Sequence, residues 1–221
     1  MRLFFILILF FGLQSMMPTA RARKNPLVLL SPHGDAKSIK KDLKPCCQPE
    51  QVHAFAHELG KQLQKKYRFS IALTHELTNT VAAWRIASLT NKFEADFFLN
   101  LNLYYQPSNK PHISLFYLTY NPLTEQTNRT FAPCSFIPVR LAHLICLQTT
   151  KRYAHLIQAM LQKPKYQKQL SIDDPIGAPL TSLAGISIPA LVLEVGINAQ
   201  GQWKQLIKPL VKSLVFLSNR Q

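Results

Sequence analysis

The chain has 221 residues, of which 47% are hydrophobic and 17% charged, and it carries a formal net charge of +15. That length and apolar content predict one domain with a substantial core and exclude disorder over the whole chain. The basic excess says nothing about fold, but it concentrates polyanions and anionic surfaces near the protein, and nucleic acid, wall polymers and lipid headgroups all qualify.

Met1 to Ala22 reads as a secretory signal peptide: Arg2 near the start, an apolar run from Leu3 to Leu13, and Ala20-Arg21-Ala22 at the end. Cleavage after Ala22 would leave residues 23–221 as one domain. An uncleaved membrane anchor is the alternative. In both cases the domain faces the periplasm or the cell exterior, which argues against nucleic acid as partner and leaves an anionic wall or membrane surface. Pro26-Leu27-Val28-Leu29-Leu30 then reads as a buried strand running into the loop Ser31-Pro32-His33-Gly34-Asp35. The neighbouring cysteines, Cys46 and Cys47, could bridge to Cys134 or Cys146 outside the cytoplasm, but with no CxxC pair a cysteine zinc site is a poor reading.

From Pro49 to Lys66, Val52, Phe55, Ala56, Leu59 and Leu63 recur at helical spacing, with Pro49 and Glu50 suited to a first turn. A strand over Phe69–Thr74, a helix over Val81–Phe93 and strands over Ala95–Leu103 and Ile113–Tyr120 follow. Asn121 to Pro138 suits a surface insertion. Val139 to Leu161 is expected to be the longest helix, Pro189 to Val195 a buried strand, and Trp203 to Leu217 a closing helix. Strands alternating with helices predict an α/β fold with a mostly parallel central sheet covered on both faces. Ligands then sit at the carboxyl ends of strands. His33, Glu50 and Glu194 all fall where strands end or helices begin, and a carboxylate at the end of so apolar a strand needs solvent, a partner, a metal or a proton.

These pieces resemble the zinc-dependent N-acetylmuramoyl-L-alanine amidases, which cut between muramic acid and the first alanine of the peptidoglycan stem peptide. Leu27 through Gly34 resembles the family's opening strand and Asp-Pro-Gly-His-Gly-Gly loop, shortened by one glycine. Ala95-Asp96-Phe97-Phe98-Leu99-Asn100-Leu101-Asn102 is similar to its Ala-Asp-Leu-Phe-Ile-Ser-Ile-His strand, and Pro189 through Gly196 to its Pro-Ala-Val-Leu-Val-Glu-Val-Gly block. Leu73-Thr74-His75 resembles a Leu-Thr-Arg strand end loosely, and Arg85 a substrate-side arginine on the next helix.

The resemblance implies a phosphorylase/hydrolase-like fold and a zinc ion held by His33, Glu50 and a third donor, with a water on the open position. Glu194 would be the catalytic glutamate, taking the water's proton and passing it to the leaving amine. The family's second histidine is replaced by Asn102, a weak zinc ligand. His112 on the next strand, or His53 or His57 on the Glu50 helix, are the possible substitutes. Besides an active peptidoglycan amidase, two readings stand: a degenerate homologue that binds wall fragments without cutting them, and a related zinc hydrolase of small acylated amino acids.

Overall fold

The computed structural model describes residues 25–32, 45–76, 81–119 and 139–218. Residues 1–24, where the sequence predicts a signal peptide, His33, Gly34 and the predicted Asn121–Pro138 insertion lie outside the described residues. Strand β1 (Leu27–Pro32) opens the domain, and helix α1 (Pro49–Tyr67) returns to β2 (Ser70–Leu73). Helix α2 (Ala83–Lys92) leads to β3 (Phe97–Tyr105), which is followed by β4 (His112–Leu118). After α3 (Leu147–Leu161) and the single turn α4 (Pro164–Gln167) come β5 (Ser171–Ile172), β6 (Ile176–Ala178) and β7 (Ala190–Ile197), and α5 (Lys204–Ser218) closes the chain.

The seven strands form one sheet in the order β2-β1-β3-β7-β4-β5, with β6 also pairing β4. Pairing is parallel from β2 through β1 and β3 to β7, and antiparallel only where β4 meets β7. A parallel sheet needs both faces covered, because the crossover helices that connect its strands must pack somewhere. Here α1, α3 and α5 cover one face over Leu30, Leu99, Leu101, Leu193 and Val195, while α2 packs over Leu29, Phe98 and Val192 on the other. The predicted α/β architecture is what folds. Asp96 locks its start: its carboxylate accepts from the Leu27 amide at 2.7 Å, joining the first residue of β1 to the lead-in of β3.

Two sequence expectations change. The helix expected over Val139–Leu161 is broken: Val139–Ile145 winds as a 3-10 helix, and Cys146 leaves the helical basin at φ −118°, ψ 11°. The α-helical ladder starts at the Cys146 carbonyl, which accepts from Thr150 at 2.8 Å, so α3 has 15 residues and α1, with 19, is longer. Cys46, Cys47 and Cys146 are free thiols, so neither member of the vicinal pair is bridged to Cys146, and Cys134 lies outside the described residues. The Cys46 and Cys47 sulfurs sit 3.3 Å apart in the core, and burial, reinforced by the Cys46 contact, pushes the Cys47 thiol up to about 12.

Candidate active site

The site grows from strand alternation. Along β3, Leu99, Leu101 and Leu103 point into the helical layer, so Asn100, Asn102 and Tyr104 point to the opposite face. Parallel register places Asn102 beside Glu194 on β7, and antiparallel register places Ser114 of β4 beside Glu194 on its other side. Three polar residues from three strands therefore line up across the carboxyl ends of β3 and β7. The Asn102 Nδ2 donates to Glu194 Oε1 at 3.3 Å.

One register step further, Tyr104, Gly196, His112 and Ser171 lie side by side. Gly196 has a packing reason to be glycine: a Cβ there would lie 2.8 Å from the Tyr104 ring and would collide with the Gln106 side chain. Tyr104 thus lies across the strand next to Glu194. Its phenol is held above its ordinary value chiefly by burial, with the Glu194 and Asp173 carboxylates adding to the effect and a hydrogen bond with Ser114 opposing it. Beyond it, His112 Nε2 meets Asp173 Oδ2 at 2.6 Å and His112 Nδ1 meets Ser171 Oγ at 2.9 Å, while Ser114 Oγ donates to the same Asp173 oxygen at 3.0 Å. Both ring nitrogens of His112 are engaged. As a metal ligand it would have to give up one of these partners, which argues against it as the substitute donor.

Glu50 belongs to a second group, at the carboxyl ends of β1 and β2. It stands exposed on the first turn of α1, where a carboxylate also suits the helix dipole. One turn on, His53 lies edge-on to His75, ring centroids 5.6 Å apart, and its Nε2 is buried without a hydrogen-bond partner. The Thr74 hydroxyl donates to Ser31 Oγ at 3.0 Å and meets His75 Nδ1 at 2.8 Å, tying the end of β2 to the end of β1 just before His33. His57 is exposed and lines, with His53, Glu58, Glu76 and Trp203, an open cavity of about 830 Å³. Arg85 is exposed on α2, its guanidinium carbon 5.3 Å from the centre of the Trp84 ring.

The structure therefore joins Asn102 directly to Glu194 and sets Glu50 near His53, whose ring in turn meets His75. His33 lies outside the described residues. Ser114 and Tyr104 beside Glu194, and Asp173 bound to Ser114, are not legible in the sequence. Alternation within Ile113–Tyr120 offered the one signal for Ser114, since it is the polar residue between two fully buried ones. Among the described residues, no group of three or more histidine, cysteine, aspartate or glutamate side chains is arranged to hold a metal ion.

Burial and the nearby His75 hold His53 below its ordinary value of 6.5, with Glu50 pulling the other way. The folded state thus prefers the neutral ring. As pH falls through 6.5 the unfolded chain takes up this proton first, so stability present above that pH is lost until the lower folded value is passed. Urea unfolding between pH 7.5 and 5 is expected to show a falling midpoint in the parent and a shallower fall in His53→Gln. Parallel pH profiles would remove His53 as the cause.

Neither a protein-family model nor a curated protein matches this sequence. Solved structures do match. An N-acetylmuramoyl-L-alanine amidase from Clostridium difficile 630 superposes with a TM-score of 0.59 at 14% identity, over 89% of this chain and 98% of that one. The apo form of the Mycobacterium abscessus N-acetylmuramyl-L-alanine amidase gives 0.58 at 14%, over 89% and 100%. The catalytic domain of the amidase from Bacillus (Paenibacillus) polymyxa var. colistinus gives 0.55 at 10%, over 89% and 99%. The class is thus an α/β domain with a mostly parallel sheet and its polar site at the strands' carboxyl ends. Its fold is that of the N-acetylmuramoyl-L-alanine amidases, as the motifs of β1, β3 and β7 predict.

Proposed function

We propose that this protein is an exported peptidoglycan hydrolase that cleaves the amide between N-acetylmuramic acid and L-alanine. One observation carries the reading: Glu194, the residue matched to the family's catalytic glutamate, lies half-buried at the carboxyl end of β7 in contact with Asn102, the residue at the family's histidine position. A carboxylate so placed can take a proton from an attacking water and return it to the departing alanine nitrogen, so the proton count closes over one turnover. The Asn102 amide holds Glu194 Oε1 and orients the carboxylate. Ser114, which donates its hydroxyl proton to Asp173, and Tyr104, which donates its phenol proton to Gln106, fix the polar wall beside this carboxylate. Among the described residues no helix is long and apolar enough to cross a membrane.

Zinc enters the proposal from the sequence, with His33 and Glu50 as donors and the Asn102 amide oxygen as the third. The described residues do not complete a zinc site by themselves, and the Asn102 amide nitrogen is committed to Glu194. The weak amide donor at position 102 and the shortened Ser31–Gly34 loop favour the second reading, a homologue that binds wall fragments without cutting them.

Metal content and turnover separate the two. The purified protein is expected to retain zinc and to release soluble peptides from peptidoglycan in a chelator-sensitive manner. Asn102→His is expected to raise the affinity for zinc roughly tenfold or more, since an imidazole replaces a weak amide donor. Unchanged zinc affinity in that variant would show that this strand does not face the metal. Metal-loaded protein that binds sacculi yet releases nothing would establish the binding-module reading.

A further inference from the structure

A groove of about 530 Å³ runs between α1 and α5, in the helical layer that covers the sheet face opposite Glu194. Its floor includes Ile207 and Val211, only 7% and 4% exposed, and Tyr67, 39% exposed, adds an aromatic edge. The rim is basic. Lys66 comes from the last turn of α1, and Lys204, Lys208 and Lys212 come from α5. Four-residue spacing sets the three α5 lysines along one side of the helix in steps of about 6 Å.

Against these four ammonium groups the groove holds one carboxylate, Glu58, which already accepts from Gln62 Nε2 at 2.8 Å. No described carboxylate makes an ion pair with any of the four lysines. The Lys204 ammonium lies 5.9 Å from the centre of the Trp203 ring, and the row as a whole remains cationic, so its like charges repel and an anion laid among them relieves that repulsion. Shape narrows the choice of anion. The groove is concave and its lysines run in a row, so a flexible chain with recurring charges can meet them in succession, whereas a flat lipid surface cannot enter between two helices.

We propose that the α1–α5 groove binds a linear, phosphodiester-linked anionic polymer of the cell wall and so retains the domain on its substrate. The polyanion chemistry stands on the groove alone, and the choice of a wall polymer rests on the peptidoglycan reading above. Binding of the purified protein to poly(glycerol phosphate) is the probe. Log affinity is expected to fall with log salt at a slope near 0.7 per lysine engaged, or about 2.8 for four.

In the double variant Lys208→Ala/Lys212→Ala the slope is expected to drop by about 1.4 and the affinity at 0.1 M salt by about tenfold or more. A control pair on other elements, Lys92→Ala/Lys163→Ala, is expected to leave both unchanged. Peptide release from peptidoglycan stripped of the polymer should be the same in the groove variant as in the parent. Equal losses in the two double variants would mean diffuse surface charge and overturn the groove. Binding to phosphatidylglycerol vesicles, but not to the polymer, through the same lysines would overturn the linear partner. Groove-dependent polymer binding by a protein that releases no peptide would support the groove while removing the hydrolase reading. Hydrolysis with polymer affinity unaltered in the groove variant would remove the groove alone.

Discussion

Glu194→Gln is expected to lower peptide release from peptidoglycan by about 100-fold or more, with the thermal midpoint little changed. The magnitude follows from the role: a positioned general acid–base contributes on the order of 10²–10⁴ to rate. Glutamine keeps the size of the side chain and can still pair with Asn102, but it cannot accept and return a proton. Fold should survive, because Glu194 is half-buried while its neighbours Leu193 and Val195 carry the core contacts on the other face of the sheet. A coupled assay of soluble peptide release and differential scanning calorimetry distinguishes this from simple unfolding. Release within a few-fold of the parent would exclude Glu194 as the proton carrier.

Phe55→Ala is expected to cost about 3–5 kcal/mol of folding free energy, the range for truncating a fully buried aromatic side chain. Phe55 is 0% exposed, and its ring centre lies 5.7 Å from that of Trp203, where α1 packs against the approach to α5. Trp203 is in turn held by its indole, which donates to Gln51 Oε1 at 3.1 Å, so the cavity opens beside a hydrogen-bonded partner with little freedom to collapse into it. Because α1 also carries Glu50 and His53, partial loosening here should be felt at the carboxyl edge of the sheet before global unfolding. Guanidinium titration at pH 7 measures the effect. A loss below about 1 kcal/mol would mean that α1 does not depend on this contact for its seat.

Legibility in the sequence followed local pattern strength. Strands β1, β3 and β7 were readable because centrally placed parallel strands are apolar almost throughout, and Asn102 and Glu194 stand out within such runs. Their adjacency needed the register of two strands 92 residues apart, which no local pattern contains. The same holds for Ser114 and Asp173, separated by 59 residues and joined through β5, a strand of two residues too short to show periodicity. His75 was readable only as the residue after a strand. Its encounter with His53 depends on how α1 crosses β2. The break at Cys146 is not legible in the sequence because a seven-residue 3-10 segment places its apolar residues at spacings of three, which an α-helix also uses, and nothing in the residue pattern marks the change of winding at Cys146.

The central claim concerns which bond is cut, and the chemistry of the new chain ends reports on it directly. Peptidoglycan digested with the purified protein and analysed by mass spectrometry with amino-terminal labelling is predicted to yield stem peptides with a free L-alanine amine and intact, unshortened glycan strands. New amino groups at any other position, new reducing sugar ends, or none of either in metal-loaded protein would contradict the account.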